Sequence, residues 1–218
     1  IHFDRTNTWW EPAKAWHLYI ARCQYMLQKG NFVADLVCFT GEDAGVYTRV
    51  TPEELNPSPP VGYDYDLINA EVLLKKAKVA NRQLVLADGM RYNLLVLQDQ
   101  KHLSLELIRK IREFVSDGLV VVGTKPESTP GLRHQADGTG EFQKIANELW
   151  GAFERNGTTK NIVGKGTVYW GQSLETIIGN QQIKPDIEIT SKSGDAPITY
   201  IHRKDGDVDI YFLANLRR

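Results

Sequence analysis

The stretch from Asn93 to Gly123 reads as a complete strand, helix and strand, and no other segment restricts the fold as much. NLLVLQD is a strand pattern, and Ser104 stands where a helix N-cap belongs. Leu105, Ile108, Ile111 and Val115 make one apolar stripe, Gly118 marks the helix end, and LVVVG is a second strand. A right-handed crossover of this kind makes the two strands parallel neighbours. Parallel sheets survive only with both faces covered, so the fold class is α/β, with a mainly parallel sheet and helices on both faces.

The flanking sequence extends that alternation. FVADLVCFT, from Phe32 to Thr40, is a nearly unbroken apolar run suited to a doubly covered strand. Asp66 can cap a short helix reaching Ala77, and Asp88-Gly89 is a hairpin turn between Gln83 to Ala87 and Arg91 to Leu97. Phe142, Ile145, Leu149 and Phe153 mark a helix, GTVYWG a strand, and Ser173 to Ile178 a short helix. Thr51 to Pro60 and Thr124 to Gly140 are loops by their Pro, Gly, Ser and Thr content. Ahead of this, Trp9, Ala13, Trp16, Ile20, Cys23 and Leu27 line one face of a helix from Trp9 to Lys29. Thr8 and Glu11 have capping-box spacing, and Gly30 provides the stop. Beyond Pro185 only strands are expected: DIEIT, then ITYIHRK and VDIYFLA as a C-terminal hairpin turning at Asp205-Gly206. Three segments result: 1–30 as a terminal helix, 31–182 as the α/β domain, and 183–218 as a β tail leading towards a further domain.

Charge and motifs exclude more than they suggest. With 26 basic and 27 acidic residues there is no electrostatic case for nucleic acid or an anionic membrane as partner. Cys23 and Cys38 lie among apolar neighbours without accompanying histidines, so no sulfur-held metal is expected. The glycines after the first strand lack dinucleotide spacing, and Gly164-Lys165-Gly166 leads into a strand rather than a helix, which makes it a turn and not a phosphate loop. A nucleophile elbow would follow Leu97, yet Gln98-Asp99-Gln100-Lys101 contains no nucleophile. No catalytic residue is assigned. Candidate substrate-binding residues are Glu42 and Asp43, at the carboxyl end of the first strand where open α/β sheets collect ligands, and His2, Asp4 and Arg5 in the opening IHFDRTNTWW. That opening fits two readings: an Asp4 and Arg5 ion pair beside core tryptophans, or sugar contacts beside tryptophan platforms. The first residue is Ile1, with neither an initiator Met nor a leader, which suggests a fragment.

The blocks HFDRTNTWWEPAKAWHLYIARCQYMLQKGNFVADLVCFTGEDA, GYDYDLINAEVLL, LADGMRYNLLVLQD, ELIRKIREFVSDGLVVVGTKP, IKPDIEI and YIHRKDGDVDIYFLAN resemble bacterial α-L-rhamnosidases of glycoside hydrolase family 106. The resemblance implies that residues to about Gly30 end a catalytic barrel. It implies that the rest is a flavodoxin-like, glutamine-amidotransferase-like accessory domain, similar to the trimerisation domain of some β-galactosidases. The family's catalytic glutamates would lie in the barrel, so none transfers to this chain. His2 and Asp4 would fall at the carboxyl end of the last barrel strand. The resemblance also implies no cofactor in this segment, calcium in the parent enzyme, and its own barrel and the parent's carbohydrate substrate as partners. A homo-oligomer and export to the periplasm or cell surface of a polysaccharide-degrading bacterium complete the expectations.

Overall fold

A computed structural model describes residues 4–42, 51–130, 138–151, 159–192 and 197–216. His2 and Asp43 lie outside the described residues, as does the middle of the Thr124 to Gly140 loop. In chain order the elements are α1 (Ala13–Leu27), β1 (Asn31–Phe32), β2 (Leu36–Phe39), β3 (Tyr65–Ile68), α2 (Ala70–Lys75), β4 (Lys78–Ala80), β5 (Gln83–Val85), β6 (Arg91–Tyr92) and β7 (Leu94–Gln98). They continue as α3 (Leu105–Asp117), β8 (Val120–Gly123), α4 (Gly138–Trp150), β9 (Lys160–Val163), β10 (Gly166–Tyr169), α5 (Leu174–Asn180), β11 (Ile198–Asp205) and β12 (Val208–Asn215). The chain divides into two compact units, one of residues 34–190 and one joining 1–33 with 191–218. The terminal helix and the tail strands thus belong to the same unit.

The larger unit is built on a six-stranded sheet in the order β3-β2-β7-β8-β10-β9. All neighbours are parallel except β9, which runs antiparallel to β10. The second strand lies on one side of the first and the later strands on the other, so the order reverses between β2 and β7. Because side chains alternate along a strand, Leu36, Cys38, Leu94, Val96, Val120 and Val122 share one face. There they form a buried core with Leu55 and with Leu174, Ile177 and Ile178 of α5. The opposite face takes Val37, Phe39, Leu95, Leu97 and Val121, all buried. Helix α3 buries Leu107, Ile108, Ile111, Phe114 and Val115 and packs against α2, α4 and β10. Its ends follow the sequence reading: Ser104 Oγ accepts from the Leu107 amide at 3.2 Å, and Gly118 takes φ 118°.

Several boundaries differ for identifiable reasons. FVADLVCFT is not one strand: β1 pairs with β11 in the smaller unit, and β2 joins the main sheet after a break at residues 33–35. Asp66 lies inside β3, and Asn69 caps α2 instead, its Oδ1 accepting from the Val72 amide at 2.9 Å. Helix α1 begins at Ala13, with Pro12 at the N-cap position and no side-chain cap, so the Thr8 capping box is not made. The DIEIT segment forms no ladder; the Asp186 amide bonds the Gly62 carbonyl at 3.0 Å. Two short strands had no sequence signal of their own. Strand β4 turns into β5 through Asn81 and Arg82, both at positive φ, and β9 turns into β10 at Gly164. The Gly164 to Gly166 turn is glycine-rich because α3 is close: a Cβ on Gly166 would lie 2.3 Å from the Val115 carbonyl oxygen.

In the smaller unit β1, β11 and β12 form an antiparallel sheet. Arg203 donates to the carbonyls of Lys29 at 2.5 Å and Gly30 at 2.6 Å, tying the end of α1 to β11. Gly30 is obligatory there, since a Cβ would sit 2.0 Å from the Lys204 carbonyl oxygen. Among the described residues of this unit only Ala13 and His202 are buried.

Candidate functional site

In open α/β sheets ligands bind at the carboxyl ends of the strands where the order reverses. Here that place lies between β2 and β7, and internal hydrogen bonds close it. The Gln98 backbone takes φ 56°, an unusual left-handed conformation at a strand end, and its side-chain amide donates to the Phe39 carbonyl at 3.0 Å. Glu42 accepts from the Ser104 amide at 2.6 Å and from the Ser104 hydroxyl at 2.7 Å. Both of its oxygens therefore brace the start of α3, and the Ser104 hydroxyl passes the tie on to Leu107. Asn56 donates to Asp99, and Gly41 takes φ 92°, a conformation that favours glycine, beside the Gln100 side-chain amide. The strand end thus has one left-handed residue, Gln98, and no nucleophile, and six residues separate it from α3.

A second group gathers at the opposite edge of the same sheet. Asp35, Asp64 and Asn93 each stand directly before a parallel strand. Burial is the main reason the Asp64 carboxyl is pushed up to about 6; the Tyr65 amide opposes the shift and the charges of Asp186, Asp66 and Asp35 add to it. Asp35 is also raised, chiefly by burial, against a 2.7 Å bond donated by the Asn93 side chain. Raised carboxylates are the electrostatic mark of acid–base sites. Here burial at the sheet edge is the main cause, and the Asp35 carbonyl also anchors the start of β7 by accepting from the Asn93 and Leu94 amides. Among the described residues no group of three or more His, Cys, Asp or Glu side chains could hold a metal ion.

A cavity of about 570 Å³ opens beside β3 and α2, walled by Val37, Ile68, Val72 and Met90 with Asp66 and Tyr92 at its polar end. The Tyr92 hydroxyl donates to Asp66 at 2.8 Å; burial first, and that carboxylate second, push the phenol far above its ordinary range. The phenol is therefore not an available nucleophile. Burial likewise pushes the Cys38 thiol up to about 12, which leaves it unreactive.

Of the opening residues, Asp4 and Arg5 are exposed. The Asp4 carboxylate accepts from the Thr6 hydroxyl and from the Thr6 amide at 2.9 Å, and these bonds hold it below the usual carboxylate range. It closes a local turn rather than meeting a partner distant in sequence. Asp4 and Arg5 belong to the smaller unit and Glu42 to the larger one.

Comparison with known proteins agrees over the full length. The family model described as alpha-L-rhamnosidase matches residues 1–218. A Formosa agariphila protein named "Putative beta-glucuronidase" is 35% identical over 216 residues, covering 99% of this chain and 17% of its own length. The solved rhamnosidase from Novosphingobium sp. PP1Y is 33% identical with a TM-score of 0.85, over 99% of this chain and 20% of that one. The GH42 beta-galactosidase Gan42B, 14% identical with a TM-score of 0.52 over 84% of this chain and 34% of its own, shares the fold. The chain therefore spans about a fifth of the first two relatives.

Proposed function

The chain belongs to the α-L-rhamnosidase family of glycoside hydrolases, and from that premise we propose that it is an accessory, non-catalytic portion of a longer enzyme that degrades rhamnose-bearing polysaccharides. The observation that carries the reading is the closed carboxyl edge of the parallel sheet, where Glu42 is committed to Ser104 and Gln98 to Phe39. A scaffold explains such bonds, whereas an active site would hold polar groups ready for a substrate.

In this reading residues 34–190 are a flavodoxin-like, glutamine-amidotransferase-like domain with Gln98, and no nucleophile, at the end of its third parallel strand. The strand order, with the second strand beside the first and the later strands opposite, supports that assignment. Helix α1 lies against the catalytic barrel of the same protein. Its support is apolar surface: Trp16 is 50% exposed and Tyr19 60%, on a helix with Ala13 as its one buried residue among those described. Glu42 is a brace. Asp4, with Arg5 and His2, stays the candidate for sugar contact at the barrel margin. Calcium and the catalytic glutamates fall in the remainder of the enzyme, and export to the periplasm or cell surface rests on family kinship alone.

The test is Glu42→Gln in the longer enzyme. Loss of the charged brace lowers unfolding stability by about 1–3 kcal/mol, while kcat/KM on an aryl α-L-rhamnoside stays within about twofold of wild type. A tenfold or greater fall in kcat/KM at unchanged stability would overturn the reading.

A further inference from the structure

Strand β12 is eight residues long and, among the described residues, lies at the end of its sheet and pairs with β11 alone, in the strand order β1-β11-β12. Natural edge strands are protected by charge, proline, bulges or short length. This strand has no proline or bulge and is not short, and it carries one charge, Asp209. Its register with β11 runs without interruption from Val208 to Asn215, and the segment Ile210 to Ala214, IYFLA, contains no charge, proline or glycine. The single acid, Asp209, is already engaged by His202 at 2.9 Å and Lys204 at 3.2 Å on β11.

Each face carries apolar side chains beside charged ones, Asp209 and Lys204 on one face and Asp205 and Arg203 on the other. Strand alternation puts Tyr211 and Leu213 on one face, and Val208, Ile210 and Phe212 on the other with Ile201 across from Phe212. Leu213 is 55% exposed and Val208 59%, and His202 is the one buried residue among those described in the sheet. A long, charge-poor edge of this kind is a ready template for pairing with another strand.

We propose that β12 is an interior strand of a larger antiparallel sheet, completed by a strand of the same polypeptide drawn from outside these 218 residues. The occupant follows from length, because the relatives are about five times as long as this chain. The inference rests on the chain being part of a longer enzyme, and it is independent of whether the chain is catalytic. The completing strand bonds along the open edge of β12, and its module covers the Tyr211 and Leu213 face.

Hydrogen exchange on the intact longer enzyme, resolved to single amides across 209–215, tests this. With strands on both sides, consecutive amides of β12 are all protected, each at least about 100-fold relative to an open chain, and the protection does not change with protein concentration. Alternating protection, with every second amide exchanging freely, would show a true edge and overturn the proposal. Protection that grows with concentration would assign the edge to a second copy and overturn it equally. Because no activity is measured, a catalytic fragment would leave this result standing, and an open β12 would leave the accessory role standing.

Discussion

Replacing Asp64 by Asn isolates the electrostatic cost of the amino-terminal sheet edge. Asp64 Oδ1 accepts from the Tyr65 amide at 2.8 Å, and the Asp64 carbonyl accepts from the Leu36 amide at 3.3 Å. Asn keeps an acceptor in that place and removes the charge that Asp186, Asp66 and Asp35 repel. Folding raises the carboxyl from 3.8 to about 6. Below the lower value both folded and unfolded chains are protonated. Between the two values the unfolded chain ionises first, so stability falls as pH rises, and the loss is complete above the folded value. The full shift corresponds to at most about 3 kcal/mol, and partial solvent access reduces the expectation to about 1–2 kcal/mol. Asp64→Asn is therefore more stable than wild type by that amount near neutral pH, and the difference closes towards about pH 4. Urea unfolding followed by circular dichroism across a pH series measures it. A difference independent of pH, or a destabilised variant at neutral pH, would refute the assignment.

Other sites give independent checks. Ser104→Ala removes the α3 cap and the hydroxyl bond to Glu42 while keeping the amide bond, so it costs about 1–3 kcal/mol. Combined with Glu42→Gln in a double-mutant cycle it shows coupling of at least about 0.5 kcal/mol, and additive losses would contradict the brace. Gly166→Ala drives a Cβ against the Val115 and Leu119 carbonyls at 2.3 and 2.4 Å; backbone at both contacts cannot yield cheaply, so the cost is about 2 kcal/mol or more, and a neutral variant in thermal unfolding would count against the packing. Cys38, fully buried with its thiol raised to about 12, is labelled by iodoacetamide only as fast as the unit opens; rapid labelling of the native chain at that position would disprove its burial.

What the sequence disclosed follows the physics of each signal. The unit from β7 through α3 to β8 was legible because cap, stripe, C-terminal glycine and apolar strands agree with one another. Long-range pairing was not legible. Nothing within FVADLVCFT says that its first residues join β11 and its later ones the main sheet, because strand assignment depends on partners far away in the chain. Asp66 and Asn69 are both good caps, and the pairing of β3 with β2 through Ile68 chose between them. Short β4 and β9 have too few residues for a periodic signal. At the candidate site, sequence located the strand end and its lack of a nucleophile, yet the φ of Gln98 and the bond from Ser104 to Glu42 exist only once the chain has folded. The Asp35 and Asp64 pair was hidden for the same reason, since burial creates their shifts.

The most direct measurement is turnover of an aryl α-L-rhamnoside by the purified 218-residue chain, with the full-length enzyme as reference. The account predicts hydrolysis by the full-length enzyme and none by the chain above the uncatalysed background. Turnover by the chain that disappears on substituting Asp4 or Glu42 would contradict it.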